Sequence, residues 1–371
     1  MSKRIALFFD RPYFEAHFCF REMAVQFLEH QWQVDLFIPF SLEHPSPSIR
    51  HENFSVKFYQ KSKSKLIKLL AQLSCWGQNT RYQAIIATPQ WALYWAVQVG
   101  KLCKIPVICL ADEVYTSDEK TLFPSQRNLP SSVMLRWKKR EAWANQQCLL
   151  TIALSEERYQ LTKQENNLSD DHQCIVIPNS PSKTNLIKSS FYRESLEISN
   201  HKHILLHSGN GAWSLIDELL QKSSLWLQDF HIVFQGRYKG TLQEKKPGQN
   251  VSISPWVLPS NLMHFATSSA DIGLMLYDRQ REEEVRNGAT AGKLGLYLGS
   301  GLPILCCNID SLKWVSEERC GLWVNNIDEI PQAARAIIQD INTYKKNAYR
   351  IFLDKFEYSQ HFSSLINFIN S

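Results

Sequence analysis

The stretch GKLGLYLGSGLPIL, residues 292–305, reads as a short apolar helix that ends at Gly301-Leu302-Pro303 and runs directly into a strand. A helix feeding a buried strand through a tight turn is the repeat unit of a parallel sheet covered by helices. One residue sits badly in that pattern. Lys293 places a cation at the positive end of the helix macrodipole, where its charge is disfavoured. An anion bound at the same place removes the conflict. The alternative is a lysine that lays its stem on the core and carries its ammonium out to water. The residues of this stretch leave both readings open.

Working outward, the same alternation fills the chain. RIALFF (4–9), QVDLFIP (33–39), AIIAT (84–88), IPVICLA (105–111), CLLTIALS (148–155) and QCIVIPNS (173–180) read as buried strands, with FREMAVQFLEHQ (20–31) an amphipathic helix. Thr88-Pro89 supplies an N-cap and a first-turn proline for the helix that starts QWALYW. Residues 181–202 are polar and break the pattern. The alternation then restarts with HILLHSGNGA (203–212), FHIVFQG (230–236), NVSISPWV (250–257), DIGLMLY (271–277) and CGLWVNN (320–326), with helices near 214–226, 260–269 and 329–341. The expected fold class is α/β, with two Rossmann-like domains facing a central cleft. We assign an N-terminal Rossmann-like domain to 1–183, a C-terminal Rossmann-like domain to 184–345, and terminal helices that pack back on the first domain to 346–371.

Composition narrows the function classes. The chain has 371 residues, 44% apolar and 21% charged, so it has ample material for two cores and is no candidate for disorder. A net charge of +5 suits an anionic small molecule or an anionic surface and does not call for nucleic acid. Nine scattered cysteines without metal-ligand spacing point to a reduced, cytoplasmic chain in which they act as small hydrophobes. No apolar run approaches the roughly 20 residues that span a bilayer. KSKSKLIKLLAQL (61–73) sets leucines on one helical face and lysines on another, and VMLRWKKREAW (133–143) adds a second basic-aromatic patch. Both patterns fit peripheral contact with a membrane, and both fit an ordinary packed surface helix.

The order of several short motifs resembles the GT-B glycosyltransferases, specifically retaining family 4, also known as glycosyl transferases group 1. In the second half these are Ser208-Gly209-Asn210-Gly211, Ala270-Asp271-Ile272, Lys293 through Pro303, Gly321-Leu322-Trp323-Val324 and Asp328-Glu329-Ile330. In the first half they are CLADEVY (109–115), LLTIALSEE and VIPNSP. The resemblance implies a nucleotide-sugar substrate, a glycan or lipid-linked acceptor, retention of configuration, no cofactor and no metal. One departure stands out. Two glutamates that flank the phosphate loop in that family fall here at Gly288 and Leu296, and Glu282, Glu283 or Glu284 would have to replace the first.

Within that frame each residue has an expected role and a plainer one. For the donor, Gly209, Asn210, Gly211, Gly288 and Gly292 let backbone approach a diphosphate, Thr290 caps the following helix, and its free amides face the anion. Lys293 and Arg237 supply charge to the leaving group, although Arg237 reads equally as a solvated loop cation. Trp256 and Val257 line the base slot or merely pack. In the first half, Asp10, Asp112 and Glu113 close strands and face the acceptor, with Asp112 and Glu113 as candidates to take its proton. Asp112 reads equally as a local cap. The expected function is hexose transfer in polysaccharide or glycoconjugate biosynthesis, by electrostatic stabilisation of the departing diphosphate. Its rivals are a catalytically impaired nucleotide-sugar-binding subunit of a glycosyltransferase complex and a nucleotide-sugar isomerase on the same plan.

Overall fold

The structure, a computed structural model, describes residues 3–42, 46–59, 82–115, 131–209, 215–223, 226, 229–236, 249–254, 258, 260–280 and 288–371. The chain forms two units, Met1–Pro178 with Ser359–Ser371, and Asn179–Tyr358.

In the first unit, β1 (Arg4–Phe9), β2 (Gln33–Pro39), β3 (Phe54–Tyr59), β4 (Ala84–Thr88), β5 (Val107–Ala111), β6 (Leu150–Ala153) and β7 (Cys174–Val176) make one sheet. Its order is β3-β2-β1-β4-β5-β6-β7, and all neighbours run parallel. Strands β1, β4 and β5 are almost wholly buried, as a sheet covered on both faces requires. The covering helices carry their own start and stop signals. In α1 (Phe18–Glu29) the His17 side chain accepts from the Phe20 amide. In α2 (Gln90–Cys103) the chain stops at Lys104, whose φ is 54°. In α4 (Glu156–Asn166), which follows α3 (Ser131–Gln146), Ser155 caps the start, and Asn167, with a φ of 50°, closes the end.

Two expectations change here. Thr88 does not cap α2, because Pro89 holds the cap position and the Thr88 hydroxyl donates instead to Asp112 at 2.5 Å. A carboxylate is the stronger acceptor, so it wins the hydroxyl. The basic-aromatic segment 133–143 lies in α3, where Lys138 is buried and Trp137 and Trp143 meet the Tyr94 ring at 6.1 and 5.7 Å. The other basic segment, 61–73, lies outside the described residues, and among those described no helix is long and apolar enough to cross a membrane.

The second unit repeats the plan. Its sheet comprises β8 (His203–Ser208), β9 (Phe230–Gln235), β10 (Val251–Ser254), β11 (Ile272–Met275), β12 (Ile304–Cys307) and β13 (Gly321–Val324). The order is β10-β9-β8-β11-β12-β13, again all parallel. Around it lie α5 (Ile216–Ser223), α6 (Ser260–Thr267), α7 (Gly292–Gly299), α8 (Ile330–Gln339) and α9 (Ile341–Ile351). The last helix, α10 (Tyr358–Asn370), returns to the first unit from Ser359 on, with Phe362 edge-on to Phe27 at 4.9 Å.

Tyr297 locks α7 to the sheet. Its hydroxyl accepts from the Ser208 amide at 2.7 Å and donates to the Leu206 carbonyl at 3.1 Å. Its ring fills the space a side chain at 273 would need, since a Cβ on Gly273 would lie 2.4 Å from Tyr297 Cδ2. Gly273→Ala is therefore expected to cost about 1–3 kcal/mol by overpacking. Urea denaturation should show a lowered midpoint with an unchanged slope, and an unmoved midpoint would contradict this account of the α7 packing.

Candidate active site

Both sheets are wound outward from an inner strand, so each has a point where consecutive connections leave in opposite directions. In sheets of this kind the crevice for ligands opens at the carboxyl ends of the strands on either side of that point. In the first unit the strands are β1 and β4, and in the second they are β8 and β11.

The first unit brings Asp10, Asp112 and Glu113 to one sheet edge, after β1 and β5, and adds partners that sequence reading did not name as such. Asp112 is buried and accepts three hydrogen bonds, from His17 Nε2 at 3.0 Å, from Thr88 Oγ1 and from the Glu113 amide at 2.9 Å. Because His17 Nδ1 already accepts from the Phe20 amide at 3.2 Å, the ring proton sits on Nε2 and points at the carboxylate. Burial alone would raise the Asp112 carboxyl. The hydrogen bond from His17, the nearby Arg11 charge and the Thr88 hydroxyl outweigh it and hold the group well below the usual carboxylate range.

Glu113 is gripped in bidentate fashion by Arg11, with Nη1–Oε1 at 2.7 Å and a second contact from Nη2, and it accepts from the Tyr115 hydroxyl at 2.5 Å. Arg11 also donates to Tyr13, whose phenol is pushed up to about 12, chiefly by burial. Asp10 is buried, with its amide 3.4 Å from the Thr88 carbonyl, and its charge adds to burial in raising the Tyr59 phenol. A carboxylate so heavily hydrogen-bonded as Asp112 is a weak proton acceptor.

The second unit brings Lys293 to its own sheet edge. The ammonium lies 3.3 Å from His207 Nε2 and 5.0 Å from the centroid of the Tyr277 ring. It is thus turned onto the ends of β8 and β11 and is partly buried there. Burial, reinforced by the Lys293 charge, holds His207 well below its ordinary value, so its imidazole is neutral. An ammonium can only donate, which leaves the His207 ring proton on Nδ1.

Gly209 follows β8 with a φ of 118°, a backbone conformation that favours glycine. Gly292 opens α7. Thr290, expected to cap α7, lies in a separate 3-10 turn, Gly288–Thr290, and Ala291 takes the cap position without any side-chain bond. Gly288 is buried, and a Cβ there would lie 2.5 Å from Ile309 Cδ1, so a side chain at this position would have to displace that methyl group. Leu296 is 1% exposed, so the position of the second family glutamate is part of the core. Asn210, Gly211, Arg237, Trp256, Val257 and Glu282–Glu284 lie outside the described residues.

Comparison with known proteins follows this geometry. Residues 219–354 match the family model described as Glucosyltransferase 3-like, C-terminal domain. No curated protein matches the chain by sequence. Among solved structures, HepE from Anabaena, in complex with UDP and glucose, superposes with a TM-score of 0.70 at 13% identity over 99% of both chains. Sucrose-phosphate synthase from Thermosynechococcus elongatus gives 0.67 at 14% identity over 100% of this chain and 98% of that one. WaaG, a glycosyltransferase involved in lipopolysaccharide biosynthesis, gives 0.62 at 13% identity over 97% and 98%. The fold is GT-B, the two-domain glycosyltransferase fold, and residues 219–354 of the second unit are similar to the glucosyltransferase 3-like C-terminal domain.

The Asp112 network yields a signed expectation. Its folded pKa lies below the unfolded value of about 3.9, so the ionised carboxylate favours the folded state above that pH and loses the advantage as pH falls through the folded value. Asp112→Asn is expected to cost about 1–3 kcal/mol at pH 7 and markedly less at pH 2.5. Urea melts of both proteins at the two pH values check this, and an equal cost at both would mean that the network does not hold an ionised group.

Proposed function

We propose that this GT-B chain is a glycosyltransferase that moves a hexose-like sugar from a nucleoside diphosphate donor to a glycan or lipid-linked acceptor, with retention, in polysaccharide or glycoconjugate biosynthesis. One observation carries the reading. Lys293 stands at the start of α7, where a helix N-terminus without a side-chain cap and an ammonium share the carboxyl end of β8 and β11. A departing diphosphate is the group such an arrangement stabilises. One phosphate charge about 4 Å from the ammonium is worth roughly 4 kcal/mol at an effective dielectric near 20. The helix end opposes the lysine by only about 0.3–1 kcal/mol. HepE was solved with UDP-glucose, which makes a UDP-hexose the first donor to try.

In this reading Lys293 and Arg237 neutralise the leaving group and no metal ion is called for. Asn210, Gly211, Trp256 and Val257 complete the donor site with Gly209 and Gly292, while Asp10, Asp112 and Glu113 orient the acceptor. The acceptor hydroxyl then attacks from the face the diphosphate leaves, its own oxygens taking up the proton. The reaction belongs on the cytoplasmic side, with or without peripheral contact to the membrane. A second reading, an impaired subunit that binds the donor without turnover, is favoured by the absence of a carboxylate at Gly288 and Leu296 and by the burial of Leu296 in the core.

Lys293→Ala is expected to lower transfer about a hundredfold or more while melting close to the unaltered protein. UDP-, GDP- and ADP-sugars should be screened by thermal shift and by release of the nucleoside diphosphate. At a hundredfold excess over Kd, the true donor adds about 2.7 kcal/mol of stability. Stabilisation without release selects the impaired subunit, and unchanged transfer by Lys293→Ala removes the clamp.

A further inference from the structure

Behind the Asp112 loop the first unit holds a small pocket between α2, β5, α3 and α4, with room for about one water-sized group. Its polar lining is Gln90, Asp112, Glu113, Glu141, Asn145 and Thr162. Glu141 and Asn145 are 3% and 2% exposed, so neither is served by bulk water. Asn145 Oδ1 has no hydrogen-bond partner, and Glu141 Oε2 has only a long ion pair with Lys138, at 3.5 Å.

The donors nearby are committed. The Asn145 amide nitrogen donates to the Glu141 carbonyl at 3.0 Å, and the Thr162 hydroxyl donates to the Arg158 carbonyl at 2.8 Å. Burial pushes the Glu141 carboxyl up to about 7 against the pull of Lys138, so Asn145 Oδ1 is the acceptor whose role does not depend on pH, with Glu141 Oε2 accepting beside it when ionised and Gln90 the remaining donor. A buried acceptor without a donor, beside a carboxyl oxygen held only by a long ion pair, is costly unless a donor arrives. A cationic donor is disfavoured, because the Lys138 ammonium already stands beside Glu141 and within 4.0 Å of Glu165. A neutral hydroxyl fits the size, the charge and the missing hydrogen bonds.

We propose that this pocket is a specificity subsite that receives one hydroxyl of the acceptor sugar, with Asn145 Oδ1 and Glu141 Oε2 accepting from it. The inference rests on the transferase reading for the identity of its ligand as an acceptor. Asp112 and Glu113 line the same pocket, so a ring anchored there by one hydroxyl presents its neighbours to the carboxylates that orient the reacting one. A site built to accept from a hydroxyl rejects the analogue that lacks it more sharply than an apolar slot does.

The test uses the full chain without donor. Binding of methyl glucoside, galactoside and mannoside, each beside its single-deoxy analogues, is measured by saturation-transfer NMR. One deoxy analogue is expected to bind about tenfold more weakly than its parent. Asn145→Leu should reduce that difference to less than about threefold, as for coupled partners in a double-mutant cycle. Glu141→Gln, which swaps an acceptor for a donor at the same size, gives the same comparison should the first variant fail to fold. Deoxy losses that are equal in the unaltered and variant proteins would mean a resident water only and overturn the subsite. So would the absence of hexoside binding at tens of millimolar, or of any sensitive hydroxyl. Failure of transfer itself is read elsewhere, as no diphosphate release from any nucleotide sugar, so the two outcomes stay distinct.

Discussion

Parallel strands joined by covering helices leave little choice about where polar chemistry can sit. Helices hide both faces of each sheet, so backbone groups and charged side chains meet a ligand chiefly at and beside the strand ends. Winding the sheet outward from an inner strand opens a crevice at one place along that edge. Both units obey this constraint, and the groups that matter lie at β1, β4 and β5 in one and at β8 and β11 in the other. The two edges differ in chemistry. The first is built of carboxylates held by an imidazole, a hydroxyl and a guanidinium, and the second presents an ammonium supported by a neutral imidazole and an aromatic face. An acceptor rich in hydroxyls suits the former, and a diphosphate suits the latter.

The histidines illustrate how such edges are tuned. Each has one ring nitrogen claimed by a group whose role is fixed, an amide in the case of His17 and an ammonium in the case of His207. The other nitrogen of His17 donates to Asp112, and with the Thr88 hydroxyl and the Glu113 amide it holds that carboxylate in its ionised form.

Much of this was legible in the order of residues, for a physical reason. Strands buried on both faces are continuous apolar runs, and β1, β2 and β4 stand out from their surroundings accordingly. β3 escaped because it is an edge strand with Ser55 and Lys57 breaking its apolar run and most of its residues half-buried. α4 escaped because it is polar and only weakly amphipathic, and its existence is declared mainly by Ser155 and Asn167 at its ends. Charged residues at strand ends or helix starts, Asp112 and Lys293 among them, could be picked out locally. Their partners could not: His17 is 95 positions from Asp112, and Arg11 is 102 from Glu113, so only the winding of the sheet brings them together. Thr290 was misjudged because the turn at Gly288–Thr290 shifts the helix start by one residue.

The return of α10 to the first unit has a consequence for how the protein is made. Phe362 is fully buried and Phe27 packs against it, so the hydrophobic interior laid down by the earliest residues lacks one wall until residues beyond 358 leave the ribosome. Domains generally fold in the order they are synthesised. Here the second lobe emerges in full while the first still waits for its closing helix, and the nascent first lobe must tolerate an open seam for the whole of that interval.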